Sequence, residues 1–131
     1  MIVLDTQAWL WWLHDPSRLS ARVRQVLRAQ EKEAGITVSV ISVWEVATKC
    51  ALGKLALPMQ MEEWFSLART YRGIILEPVS AEDAIASACL PGNFHMDPAD
   101  RIIVALARRL KATLITADTL IRAYPHVTTL W

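Results

Sequence analysis

The chain has 131 residues, 53% hydrophobic and 21% charged, with 14 Lys+Arg against 13 Asp+Glu and a formal net charge of +1. That size fits one domain, residues 1–131, and the apolar fraction excludes a disordered chain. A charge so near zero argues against a uniformly basic surface that coats nucleic acid.

Ile2-Val3-Leu4 reads as a short apolar strand that ends in Asp5, and Thr6 to Leu13 reads as a helix stopped by Asp15-Pro16. Ser20 is placed to cap a helix from Ala21 to about Glu33, with Gly35 ending it. Ile36 to Val40 is β-branched and predicts the second strand. Ser42 is expected to open a helix that runs to Leu52 and stops at Gly53. Met61 to Tyr71 has helical spacing, Gly73 breaks it, and Ile74-Ile75-Leu76 predicts the third strand. Ser80 caps a helix to about Leu90, and Asp97-Pro98 opens another that reaches Leu110. Thr113 to Thr116 is the fourth strand, a short helix follows Asp118, and Val127 to Leu130 is a fifth, edge strand.

Strands separated by helices predict an α/β fold, a three-layer α/β/α sandwich around a parallel sheet of four to five strands. No apolar run has the length of a bilayer span; Arg101 and Arg108 bracket the run from Ile102 to Ala107. The apolar start carries no basic flank, so no signal peptide is expected. Cys50 and Cys89 have no metal-binding spacing and sit in apolar helical patterns, which reads as two reduced core thiols in a cytoplasmic protein. Three tryptophans, Trp9, Trp11 and Trp12, crowd the first helix, and one of them is expected at a partner surface.

In a parallel sheet the C-terminal strand ends and the N-termini of the following helices share one edge, where ligands bind. Asp5 ends the first strand, and Asp118 lies just past the fourth. Glu45 falls in the first turn of the helix expected from Ser42. Asp97 and Asp100 fall in the first turn of another. Clustered carboxylates repel, and a hard divalent cation such as Mg²⁺ is their natural compensation. Such ions activate water for phosphodiester hydrolysis. The bland alternative is helix capping: Ser42 with Glu45 and Asp97 with Asp100 both have capping-box form, and Asp118 sits where a cap belongs. No other catalytic set competes, since the three histidines have no ligand spacing and no nucleophile elbow or phosphate loop is present.

The same residues resemble a known family. Val3-Leu4-Asp5-Thr6 resembles the first motif of PIN-domain ribonucleases, closest to the VapC toxins of toxin–antitoxin pairs. Ser42 to Ala47 with Leu52-Gly53-Lys54-Leu55 resembles their second motif, and His95-Met96-Asp97-Pro98-Ala99-Asp100-Arg101 their third. Leu114-Ile115-Thr116-Ala117-Asp118 resembles the closing motif. The resemblance spans essentially the whole chain, with Ala99 a departure where this subgroup tends to have Phe.

It implies a PIN-like fold and an endoribonuclease that depends on Mg²⁺ or Mn²⁺, with Asp5, Glu45, Asp100 and Asp118 as catalytic metal ligands. Thr116 would support the acids as a hydroxyl. Asp97 would either sit near the metals or cap its helix. Arg101 would pair with an acid or touch phosphate, and Thr6 would support Asp5 or cap the first helix. The implied partners are RNA, an antitoxin protein and a second copy in a homodimer, with no membrane. The rival class is a catalytically inactive PIN-like module that binds protein or RNA, its acids serving as caps. Aspartyl phosphotransfer fits badly, because Gln7 stands where a second acid is needed. Two arginine-rich groups, one at Arg18, Arg22, Arg24 and Arg28 and one at Arg108, Arg109 and Lys111, would be able to track an RNA backbone. If four acids hold metal, nine remain against 14 basic residues, which turns near-neutrality into an acidic centre within a basic shell.

Overall fold

Short apolar strands that bury both faces belong in a parallel sheet, and that is where the chain puts them. The computed structural model describes residues 1–131. Five strands, β1 (Ile2–Leu4), β2 (Ile36–Ser39), β3 (Ile74–Glu77), β4 (Thr113–Ile115) and β5 (Thr129–Leu130), form one sheet in the order β3-β2-β1-β4-β5. All four pairings are parallel, with Leu4 level with Val38 and Ile115. Around it lie α1 (Thr6–His14), α2 (Ala21–Glu31), α3 (Val40–Ala51), α4 (Met61–Ala68), α5 (Ala81–Ala88), α6 (Pro98–Leu110) and α7 (Thr119–Ala123).

Alternation along β1 divides the core in two. Ile2 and Leu4 face a cluster with Trp9, Trp12, Leu27, Val46 and Trp64, whereas Val3 faces one with Ile103, Val104, Leu106, Ile121 and Tyr124. These are the two helical layers of the expected sandwich. α3 joins them, since Val46 belongs to the first cluster and Ile41 packs against the second. It also packs on both α1 and α6. The strand order reverses beside β1: β2 and β3 run out on one side, β4 and β5 on the other. Open parallel sheets have their crevice at such a reversal, here between the C-terminal ends of β1 and β4.

Several local expectations change. α3 starts at Val40, capped by Ser39, whose Oγ accepts the Ile41 N–H; Ser42 is fully buried inside the helix. Glu45 therefore lies in the second turn and makes no capping box. Ser42 Oγ instead accepts a 2.8 Å hydrogen bond from Thr6 Oγ1, which ties α1 to α3. After α2 the left-handed residue is Ala34, at φ 50°, rather than Gly35. Gly73 does require its glycine: φ is 79°, and a Cβ would stand 2.4 Å from Glu31 Cα. Cys89 is exposed and Cys50 half-buried, so neither is a fully buried core thiol. Trp9 and Trp12 are buried, and Trp11 packs on Trp131, so the tryptophan left at the surface is Trp44, 54% exposed. No helix is long and apolar enough to cross a membrane.

The Thr6–Ser42 bond is testable by a double-mutant cycle. Ser42→Ala leaves the buried Thr6 hydroxyl without its acceptor and is expected to cost about 1–2 kcal/mol. Adding Thr6→Val should cost less than the sum of the two single changes, read by chemical denaturation of all four proteins.

Candidate active site

The reversal point sets two acids facing one another across neighbouring strands. Asp5 follows β1 and is the N-cap of α1, its Oδ1 accepting the Ala8 N–H at 2.8 Å. Asp118 follows β4 and is the N-cap of α7, its Oδ1 accepting from Leu120 and Ile121. α6 contributes Asp97, which caps it through Oδ1, and Asp100 in its first turn; Pro98 at the first helical position needs no N–H partner there. α3 contributes Glu45. Asp5, Glu45, Asp97, Asp100 and Asp118 line one cavity of about 420 Å³ with Thr6, Gln7, Ala117 and a single basic side chain, Lys49.

The carboxyls sense one another. Asp5 is 7% exposed, and its pKa is pushed up to about 6, first by burial, with Asp100 and Asp118 adding to the rise. The Thr116 hydroxyl and the Ala8 N–H oppose the shift. Thr116 is fully buried, and its Oγ1 also accepts the Asp118 N–H at 3.0 Å, so it links the acids of two strands. Asp100 is also raised by burial and by Asp97 and Asp118, against the hydrogen bond from His95.

Three residues take roles that the sequence reading assigned otherwise or missed. Arg101 neither pairs with an acid nor faces the cavity. Its Nε donates to the Ser87 carbonyl and its Nη1 to the carbonyls of Phe94 and His95, so it fixes the loop before α6. His95, in that loop, places Nε2 2.7 Å from Asp100 Oδ2, while its Nδ1 is buried with no partner. An Nε2–H donated to Asp100 fits this geometry. The signal for His95 was its place two residues before Asp97 in the third motif. Lys49 reaches Glu45 Oε2 at 3.4 Å, and the signal was the i,i+4 spacing on α3.

The arginine groups also change. Arg109 grips Asp83 by two bonds, of 2.7 and 3.0 Å, and reaches Glu77 at 3.2 Å, so it locks α5 and β3 to α6. Arg108 donates to the His126 carbonyl. Arg18 pairs with Asp15, and Arg24 donates to the Leu19 carbonyl, which leaves Arg22 and Arg28 exposed and without such ties.

The donor set suits a hard cation: the acids offer carboxylate oxygens, and Asp97 and Asp118 each keep Oδ2, and Asp100 keeps Oδ1, without a protein partner. As placed, no three such side chains converge on a single point at ligating distance. Glu45 and Asp100 are instead held by Lys49 and His95. Such a set would suit an ion that keeps several waters, as Mg²⁺ does.

The family model of the PIN domain matches residues 2–127, and the chain belongs to that family. It is 31% identical over 126 residues to Ribonuclease VapC22 of Mycobacterium tuberculosis, covering 95% of this chain and 92% of that protein. Among solved structures it resembles VapBC2 from Rickettsia felis bound to a promoter DNA fragment, with a TM-score of 0.72 and 18% identity over 100% of this chain and 99% of that one. It also resembles FitAcB from Neisseria gonorrhoeae, with a TM-score of 0.66 and 21% identity over 100% and 97% of the two chains. At those identities the structures speak for the fold.

Burial of Asp5 gives a pH test. Its folded pKa lies above its value in the unfolded chain, so folding gains from its neutral form below about pH 4 and loses that gain as the pH rises through about 6. The loss is about 3 kcal/mol at one unit per 1.36 kcal/mol. Asn caps as well as Asp and carries no charge. Metal-free Asp5→Asn should therefore melt roughly 5 °C or more above wild type at pH 7 and about level with it at pH 4, read by calorimetry.

Proposed function

We propose that the chain is a divalent-metal-dependent endoribonuclease and the toxin of a toxin–antitoxin pair. The observation that carries this reading is the gathering of Asp5, Glu45, Asp100 and Asp118 around one cavity at the point where the strand order reverses. Membership of the PIN family and the likeness to a protein named as a ribonuclease support it.

Mg²⁺ or Mn²⁺ held by these four residues would supply a Lewis acid that activates water and offsets the charge developing on a phosphodiester. The chain's own part is to hold the donors still. Asp5 and Asp118 are fixed by the first N–H groups of α1 and α7, and Thr116 bridges them. His95 holds Asp100 by one oxygen, Arg101 holds the loop that carries His95, and Asp97 caps α6 beside them. Thr6 acts at one remove, by fixing α1 against α3. With the acids as metal ligands and the Thr6 hydroxyl held by Ser42, the attacking group would be water.

The rival module, with its acids as caps alone, draws on the caps that Asp5, Asp97 and Asp118 do supply. It leaves the like-charge cluster without a reason, because Ser or Asn caps a helix as well with no repulsion. For the partners, RNA enters at the acidic cavity. For the antitoxin, this chain offers an apolar groove of about 860 Å³ along α3 and α4, lined by Ala47, Cys50, Ala51, Leu55, Leu57 and Met59. Such a groove receives the apolar face of a peptide segment. The homodimer stands with these as part of the proposal.

The test is cleavage of a tRNA and rRNA panel in Mg²⁺, Mn²⁺ or EDTA. Wild type should cleave only with metal, and Asp100→Asn or Glu45→Gln should lose roughly a hundredfold or more. Metal-independent cleavage, or full activity in both folded variants, overturns the assignment. His95→Leu should cost roughly tenfold to a hundredfold, while His95→Gln, which keeps a donor, retains most of the activity.

A further inference from the structure

Lys49 is the one basic side chain among the five carboxylates of the cavity. It lies one helical turn beyond Glu45, with Nζ 3.4 Å from Oε2. On an ordinary helix surface such a pair contributes little, because water solvates both ends. Here the two ends are unequal. The Glu45 side chain is 18% exposed and that of Lys49 46%, so the carboxylate is tucked into the cavity and the ammonium reaches it from the rim. Asp5, Asp97, Asp100 and Asp118 share the cavity and add their attraction for any cation within it.

We propose that Lys49 works in two positions: as the counter-ion of Glu45 before a divalent cation enters, and as a contact to the RNA phosphate once the cation has taken Glu45. The proposal rests on the metal-dependent nuclease reading and adds a residue to it. A dication and an ammonium compete for the same carboxylate oxygen, so entry of the first releases the second. The released ammonium stays tethered to α3 on a flexible four-carbon stem with three donors. α3 packs on both α1 and α6, which line the same cavity through Thr6 and Asp100, and this keeps the stem at the cavity rim. A phosphodiester arriving there supplies the anion that the ammonium has just lost. The same side chain thus lowers the affinity for metal in the resting protein and raises that for substrate in the loaded one.

These two roles have opposite signs, and that separates them from a simple surface pair. Lys49→Met keeps the stem and removes the charge; Met is a good helix former, so the fold should persist. Calorimetric titration of the intact protein with Mn²⁺ alone should show affinity tightened roughly threefold or more. At saturating Mn²⁺, kcat/KM on a single-stranded RNA oligonucleotide should fall roughly tenfold or more. Lys49→Arg should stay near wild type in Mn²⁺ affinity and recover part of the cleavage.

Unchanged or weakened Mn²⁺ affinity in Lys49→Met overturns the counter-ion role. Unchanged cleavage at saturating metal overturns the phosphate contact. A wild-type protein that binds no Mn²⁺ and cleaves no RNA overturns the nuclease reading itself, and the proposal with it. A wild type that binds and cleaves while the variant matches it removes Lys49 alone.

Discussion

Like charges that must share one edge of a sheet are the constraint on which this molecule is arranged. Asp5 carries the clearest cost: burial raises its carboxyl first, and Asp100 and Asp118 add to the rise. The parallel sheet offers partial relief because helices begin at the same edge. The first N–H groups of α1, α6 and α7 are unpaired within their helices, and each meets an acid. The relief is incomplete for Asp5, whose carboxyl stays raised despite the Ala8 N–H and the Thr116 hydroxyl. The two apolar clusters on either face of the sheet must offset the remainder. The site is therefore maintained by packing distant from it, with Trp9 and Trp64 on one face and Ile103 and Leu106 on the other.

Capping and ligation are commonly set against each other as explanations of an acid at a helix start. At this edge they are compatible, because a carboxylate has two oxygens. Asp118 spends Oδ1 on its helix and leaves Oδ2 toward the cavity, and Asp97 is divided in the same way. Asp100 caps nothing, but its carboxyl is divided too: one oxygen meets His95, and the other has no protein partner. The cap fixes the side-chain torsions, and a donor so fixed loses little conformational freedom when it meets a cation. Glu45 is the exception. It has one more torsion, no hydrogen bond to the protein, and only the ion pair with Lys49 to steady it, so it is the member of the set most able to move.

Most of the architecture was legible because its signals are local. Apolar triplets between helical patterns marked β1 and β4, and Asp97-Pro98 marked the start of α6. The misplaced start of α3 has a tertiary cause: Ser39 and Ser42 are both plausible caps, and the choice was made by Thr6, thirty-six residues from Ser42, whose hydroxyl claims the latter. Arg101 was read as a partner for acids or phosphate because guanidinium chemistry suggests both. Its actual partners are backbone carbonyls of a loop and of α5, which carry no side-chain signature. The crowded first helix carries the stronger sequence signal than Trp44, yet crowding there is resolved by Trp64 and Trp131, which come from distant parts of the chain. The acids themselves were legible as residues, whereas their convergence depended on the strand order, which spacing does not encode.

Net charge reads differently once each charge has a place. A surplus of five basic residues outside the acidic quartet suggested a positive shell. Arg109 is committed to Asp83 and Glu77, Arg18 to Asp15, and Arg24, Arg101 and Arg108 to carbonyls. Such side chains still contribute to the field, but their donors are not available to phosphate. A polyanion approaching this edge meets five carboxylates and one lysine before anything else. For a phosphodiester to enter this cavity, positive charge would have to offset the carboxylates first. On the proposed reading, association with nucleic acid at this site would be tied to cation occupancy more than to the overall charge of the chain, and a near-neutral balance is no obstacle to it.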